Sequence, residues 1–125
     1  MTVVEPTPRR RSAEAWSWAF MRLSGLALVL LALVHFAITH IVNDVARTDY
    51  DFVAERWHNP AWRFFDWLLL ALALAHGVNG LRGIVDDYVR PPRARSVVMG
   101  LLYGVTLAMV VVGTLTILAF PSRPR

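Results

Sequence analysis

There is no cysteine anywhere in the 125 residues, and no lysine. The first absence removes disulfides and thiolate ligands for zinc or iron–sulfur clusters from what this chain can supply. Any redox centre it helps to hold must hang on histidine, of which there are four. The second absence makes all 13 basic side chains arginine. They sit beside apolar runs, and no basic face is interleaved with base-stacking aromatics. The formal charge of +4 therefore reads as membrane topology and excludes a nucleic-acid binder. Room for a soluble domain is also scarce, with 56% hydrophobic residues and a mean hydropathy of +0.45.

What fills the chain instead is membrane-spanning sequence. Residues 19–42, 64–85 and 97–120 each reach the ~20 apolar residues needed to cross a ~30 Å hydrocarbon layer. The expected fold is an all-α integral membrane protein with three transmembrane helices, at about 16–43, 62–89 and 96–120. Residues 1–15 hold Pro6, Pro8 and the Arg9-Arg10-Arg11 run, and are expected to form a disordered or peripheral arm. The span that follows is too long for the apolar core of a signal peptide and lacks a small-residue cleavage pattern, so cleavage is not expected. Residues 121–125 are a short polar tail.

Arginine counts orient these spans. Arg9, Arg10, Arg11 and Arg22 lie toward the amino end of the first, and Arg82, Arg90, Arg93 and Arg95 surround the second turn. The first loop carries Asp44, Asp49, Asp51 and Glu55 against Arg47 and Arg56. The amino end is thus expected in the cytoplasm and the carboxyl end outside. Trp16 and Trp18 suit an interfacial anchor on one side, and Trp57, Trp62 and Trp67 a belt on the other. Phe52, Val53 and Trp57 suit the apolar side of a short helix lying on the surface. Arg22 is close enough to an end to snorkel. Gly100, Gly104 and Ala108 follow the small-xxx-small spacing of helix packing. His40 falls near the wet rim, and His58 is expected in solvent.

The segment from His76 to Pro91 concentrates the chemistry. At about 100° per residue, His76, Gly80, Gly83 and Asp87 fall within roughly 60° on one face of a helix. That stripe holds one imidazole, two positions without side chains and one carboxylate, and Tyr88 follows at the same end. An ionisable residue in mid-membrane is costly and faces the bundle interior with a partner. One reading of His76 is an interhelical hydrogen bond. The other is axial ligation of a b-type haem, for which the two glycines would leave a flat macrocycle room against the backbone. Acidic residues at a helix end beside arginine commonly form surface ion pairs, which is the plain reading of Asp86 and a competing one for Asp87. The plain reading of Tyr88 is an interfacial belt residue.

His35 falls 13 residues after Arg22, and His76 falls 12 before Tyr88. Counted from those rims, the two imidazoles reach nearly equal depth on antiparallel helices. Either both clamp one haem within this chain, or a partner supplies the second ligand and His35 is a polar packing residue or a haem neighbour.

The pattern His76-x3-Gly80-x6-Asp87-Tyr88-Val89-Arg90-Pro91 resembles the second-helix signature of the smaller, D-type membrane anchor of succinate:quinone oxidoreductase, respiratory complex II. The resemblance covers the three-span plan of residues 16–120, with its specific part at residues 76–91. It implies that His76 is an axial ligand of haem b shared with a second, C-type anchor. It also implies that Tyr88 hydrogen-bonds a quinone carbonyl and that Asp87 supports that site. Flavin and iron–sulfur clusters would belong to a flavoprotein subunit and an iron–sulfur subunit, and the complex would sit in a bacterial plasma membrane. The stretch Arg22-x-Ser24-Gly25 echoes the start of the C-type anchor's first helix, but in a different order, so no role is transferred. The resemblance implies a membrane anchor of succinate dehydrogenase, and the second reading is the anchor of a fumarate reductase, the same chemistry run in reverse.

Overall fold

The computed structural model describes residues 8–122, with the side chains of residues 8–11 left aside. Three long helices dominate. Helix α1 runs from Pro8 to Phe36 and continues as wider π-helical turns over Ala37–Val42. A 3-10 turn at Val45–Arg47 and a short helix α2, Tyr50–Arg56, form the first loop. Helix α3 spans Pro60–Tyr88 and α4 spans Pro92–Ala119. The stretches Ser12–Val42, Pro60–Tyr88 and Pro92–Ala119 are each long and apolar enough to cross a membrane. A span in lipid must satisfy its backbone internally, and a continuous helix does so.

Local chemistry sets the helix ends. Asp49 caps α2 by accepting from the Phe52 amide at 3.0 Å, and Asn59 caps α3 by accepting from Ala61 at 2.9 Å. Pro60 and Pro92 sit in the first turns, where a missing N–H costs nothing. They start α3 and α4 a few residues earlier than the apolar runs predict. The π-helical turns contain Thr39, whose hydroxyl donates to the His35 carbonyl at 2.9 Å, a bond that competes with the regular ladder.

The arm expected over residues 1–15 needs correction. Helix is already present from Pro8, because Ser12-Ala13-Glu14-Ala15 contains good helix formers that extend the span outward. Residues 1–7 of that arm, and residues 123–125 of the tail, lie outside the described residues.

Helix α3 is the middle element, packed against α1 on one side and α4 on the other. Few described side chains are fully buried: apolar Ala54 and Ile117, and the hydroxyl residues Ser24 and Thr39. Large apolar side chains such as Leu26, Leu30 and Leu33 face outward, as a lipid-facing chain requires. Polar contacts tie the helices together instead. Ser17 meets Asn79 at 3.1 Å, Ser24 meets His76 at 2.8 Å, His35 meets Asp66 at 3.2 Å, and the Trp67 indole donates to Thr114 at 3.1 Å.

The small-residue stripe expected to pack α4 does not do so within this chain. A methyl added at Gly100 or Gly104 would meet nothing within 4 Å, whereas one at Gly113 would collide with Leu70 of α3. Gly113 lies about 140–180° round the helix from Gly100, Gly104 and Ala108 at about 100° per residue. The α3–α4 seam therefore uses the opposite face of α4.

Candidate functional site

His76 is the seventeenth residue of the 29-residue α3, well inside the span, and its ring is half-buried. It faces α1. Nδ1 lies 2.8 Å from the Ser24 hydroxyl, and a methyl on Gly25 would stand 3.4 Å from Cε1. Ser24 is itself 3% exposed. Among the described residues this is the only hydrogen bond His76 makes, so Nε2 has no protein partner. The other ring nitrogen is thus open, presenting a proton or a lone pair according to the tautomer.

The glycine stripe beside it behaves only partly as its sequence suggests. Gly80 is taken up by packing, since a methyl there would meet Met21 of α1 at 3.5 Å. Gly77, next to His76 in the chain, and Gly83, about two turns further toward the Tyr88 end, have nothing within 4 Å of an added methyl and leave bare backbone there. An open cleft of 710 Å³, lined by Trp16, Ser17, Phe20, Met21, Asn79 and Arg82, continues toward the Tyr88 end. Its volume lies within the roughly 300–1,000 Å³ common to cofactor and ligand sites.

His35 lies elsewhere. Its partner is Asp66, seven residues into α3, while the partner of His76 is Ser24, eleven residues before His35 on α1. Eleven residues of helix span about 16 Å. The two imidazoles are therefore not at one depth, and they cannot clamp one iron within this chain. Counting from Arg22 misplaces His35, because Arg22 does not mark the rim. Met21 abuts Gly80, so the level of Tyr88, eight residues further along α3, falls near residue 13 of α1. Arg22 lies inward of that level, with its guanidinium 4.4 Å from the centre of the Trp18 ring.

Asp66 is a site residue that the sequence did not single out. Its Oδ1 also accepts from Arg56 at 2.9 Å, and its Oδ2 accepts from the Trp57 indole at 2.7 Å. Arg56 is 9% exposed and rests against the Trp62 ring at 4.9 Å. The four residues close the loop-side end of the α1–α3 seam. The available signal was the aspartate itself: one acid within an otherwise apolar and aromatic stretch needs a buried partner.

At the opposite end, α3 terminates at Tyr88. Asp86 stands 4.0 Å from Arg95, and Arg95 also donates to the Val89 carbonyl at 3.1 Å, which secures the turn into α4. The arginines nearest to it in sequence, Arg82 and Arg90, make no ion pair with Asp86 among the described residues; the turn brings Arg95 to it instead. Asp87 and Tyr88 are exposed and have no hydrogen-bond or ion-pair partner among the described residues, Tyr88 at 81% exposure. Tyr88 lies 12 residues beyond His76, about 18 Å along the axis. No three His, Asp or Glu side chains converge among the described residues.

Comparison with known proteins covers most of the chain. The family model of the succinate dehydrogenase/fumarate reductase transmembrane subunit matches residues 7–119. The succinate dehydrogenase hydrophobic membrane anchor subunit of Archaeoglobus fulgidus is 34% identical over 86 residues, 68% of this chain and 72% of that protein. The subunit of the same description in Thermoplasma acidophilum is 29% identical over 98 residues, 71% of this chain and 80% of that one. The succinate dehydrogenase 2 membrane subunit SdhC of Mycobacterium tuberculosis is 27% identical over 97 residues, 77% of this chain and 71% of that one.

Proposed function

Because this chain belongs to the succinate dehydrogenase/fumarate reductase transmembrane-subunit family, we propose that it supplies His76 to haem b and Tyr88 with Asp87 to a quinone site. In this reading it takes the D-type place. A second, C-type anchor provides the other axial ligand, and a flavoprotein subunit and an iron–sulfur subunit oxidise succinate. The complex sits in the plasma membrane with the amino end, Asp87 and Tyr88 on the cytoplasmic side, which the arginine distribution supports.

The observation that carries this reading is the state of His76: mid-span, held through Nδ1 and unpartnered at Nε2. Haem b bound there supplies a one-electron store inside the membrane. The chain's own residues do the rest. Ser24 and Gly25 seat the ring, and bare backbone at Gly77 and Gly83 keeps side chains clear on α3. A phenol can donate a hydrogen bond to a quinone carbonyl while staying neutral at pH 7. The Asp87 carboxylate, exposed and unpaired within this chain, can orient that phenol or pass protons from the cytoplasmic side.

The Ser24–His76 contact also supports a plainer role, an interhelical hydrogen bond with no iron. A reduced-minus-oxidised spectrum of the complex purified with His76→Ala separates the two. The proposed role requires the b-type band to be lost or displaced, and an unchanged band would end it.

A further inference from the structure

Ser24, 3% exposed, is the most buried polar residue among those described, and its hydroxyl has two neighbours. His76 Nδ1 lies at 2.8 Å and the Met21 carbonyl, one turn back on α1, at 3.4 Å. A hydroxyl has one proton and two lone pairs, and a neutral imidazole has one N–H. Two arrangements are possible. If the hydroxyl donates to Nδ1, the ring proton sits on Nε2, where no acceptor among the described residues meets it, in a setting where an unmet donor is costly. If the hydroxyl donates to the Met21 carbonyl, it accepts from Nδ1–H, both protons are met, and Nε2 carries the free lone pair. The second arrangement satisfies more of the chemistry. Gly25 completes the seat, because a methyl there would already touch Cε1 at 3.4 Å and α1 therefore closes on that edge of the ring.

We infer that Ser24 is the positioning residue of His76. It fixes the tautomer in which Nε2 is the ligating atom, sets the ring's orientation, and strengthens the imidazole as a donor by accepting its Nδ1 proton. This rests on the reading of His76 as a haem ligand. A hydrogen bond from the far nitrogen of a ligating histidine raises its basicity and favours the more oxidised metal. Removing the acceptor therefore shifts the iron toward the reduced form.

The test uses the whole purified complex carrying Ser24→Ala, Ser24→Cys or Ser24→Thr, with His76→Ala as control. Haem content is referred to flavin, and the ratio of reduced to oxidised haem is read at one fixed solution potential. In Ser24→Ala and Ser24→Cys that ratio rises by about two- to tenfold, the range expected for one lost hydrogen bond, and Ser24→Thr returns it toward the parent value. Cysteine keeps the volume of serine without its strong acceptor, so a shift caused only by packing would be absent there. If haem is lost in Ser24→Ala, restoration by threonine and not by cysteine carries the same meaning. An unchanged ratio in Ser24→Ala and Ser24→Cys, repair by cysteine as well as threonine, or repair by neither would overturn the inference. If His76→Ala keeps its normal haem band, the ligand reading itself fails. If His76→Ala loses the band while the Ser24 variants match the parent, only the role of Ser24 fails.

Discussion

His35 and Asp66 face each other across the α1–α3 seam, Nδ1 to Oδ1 at 3.2 Å, at a level about 16 Å from the contact between Ser24 and His76. The aspartate serves three partners at once, and only one of them, the His35 side chain, is substantially exposed at 41%. Asp66 thus loses little if His35 is removed, and Arg56 loses a great deal if Asp66 is removed.

Replacing His35 with alanine is accordingly mild. Asp66 keeps Arg56 and Trp57, and the lost contact is partly solvated, worth about 0–1 kcal/mol. The haem-to-flavin ratio of the purified complex should be unchanged and its thermal midpoint only slightly lower. Loss of the haem band would show that His35 takes part in ligation after all.

Asp66→Leu should be severe, because it leaves the Arg56 guanidinium, 9% exposed, without its carboxylate. Breaking a buried ion pair from one side costs roughly 3–5 kcal/mol, whereas replacing both members by apolar residues is often neutral. Membranes from cells making Asp66→Leu should hold little assembled anchor by immunoblot. Adding Arg56→Met should restore much of it, and no restoration would mean that the pair is not the cause.

Tyr88→Phe should lower quinone reduction by about tenfold, one hydrogen bond to the reacting carbonyl, while succinate oxidation by a soluble artificial acceptor stays intact. Tyr88 is 81% exposed in this chain, so removal of its hydroxyl disturbs no packing here. Equal loss in both assays would indicate damaged assembly.

The two neighbouring acids should separate cleanly. Asp86 is an exposed residue in the last turn of α3, 4.0 Å from Arg95, and Asp86→Asn is expected to change quinone reduction by less than about twofold. Asp87→Asn should lower it several-fold with the soluble-acceptor rate retained. Identical behaviour of the two variants would remove Asp87 from the quinone site.

Much of the architecture was legible because the bilayer narrows the choices. An apolar run of sufficient length must be a helix, so three helices follow from three runs. The ends were less legible: α3 and α4 begin at Pro60 and Pro92, ahead of the apolar residues, because a proline in the first turn extends a helix that hydropathy alone would start later. His76 stood out by its setting, but its neighbour did not. Which residue of α1 meets it depends on the slide of one helix along the other, and neither helix's own periodicity encodes that slide. Treating Arg22 as a rim marker shifted α1 by about two and a half turns, and this made His35 look level with His76. The same ignorance hid Asp66, whose significance comes from Arg56, Trp57 and His35 arriving beside it from other elements.

Arg63 reaches from α3 to the carbonyls of Phe120 at 2.7 Å and Leu118 at 3.3 Å, while Arg95 secures the other end of the same helix pair. The hairpin of α3 and α4 is thus bolted top and bottom, each time by an arginine side chain that donates to main-chain oxygens. Among the described residues α1 has no such bolts and meets α3 through contacts between side chains. Spin labels placed on a chain that offers no competing thiols should report a narrow spread of separations within the hairpin and a broader one between α1 and α3. Equal spreads would show all three helices to be one stiff body. If the first helix is the limb that moves, the surroundings of the imidazole change whenever it does.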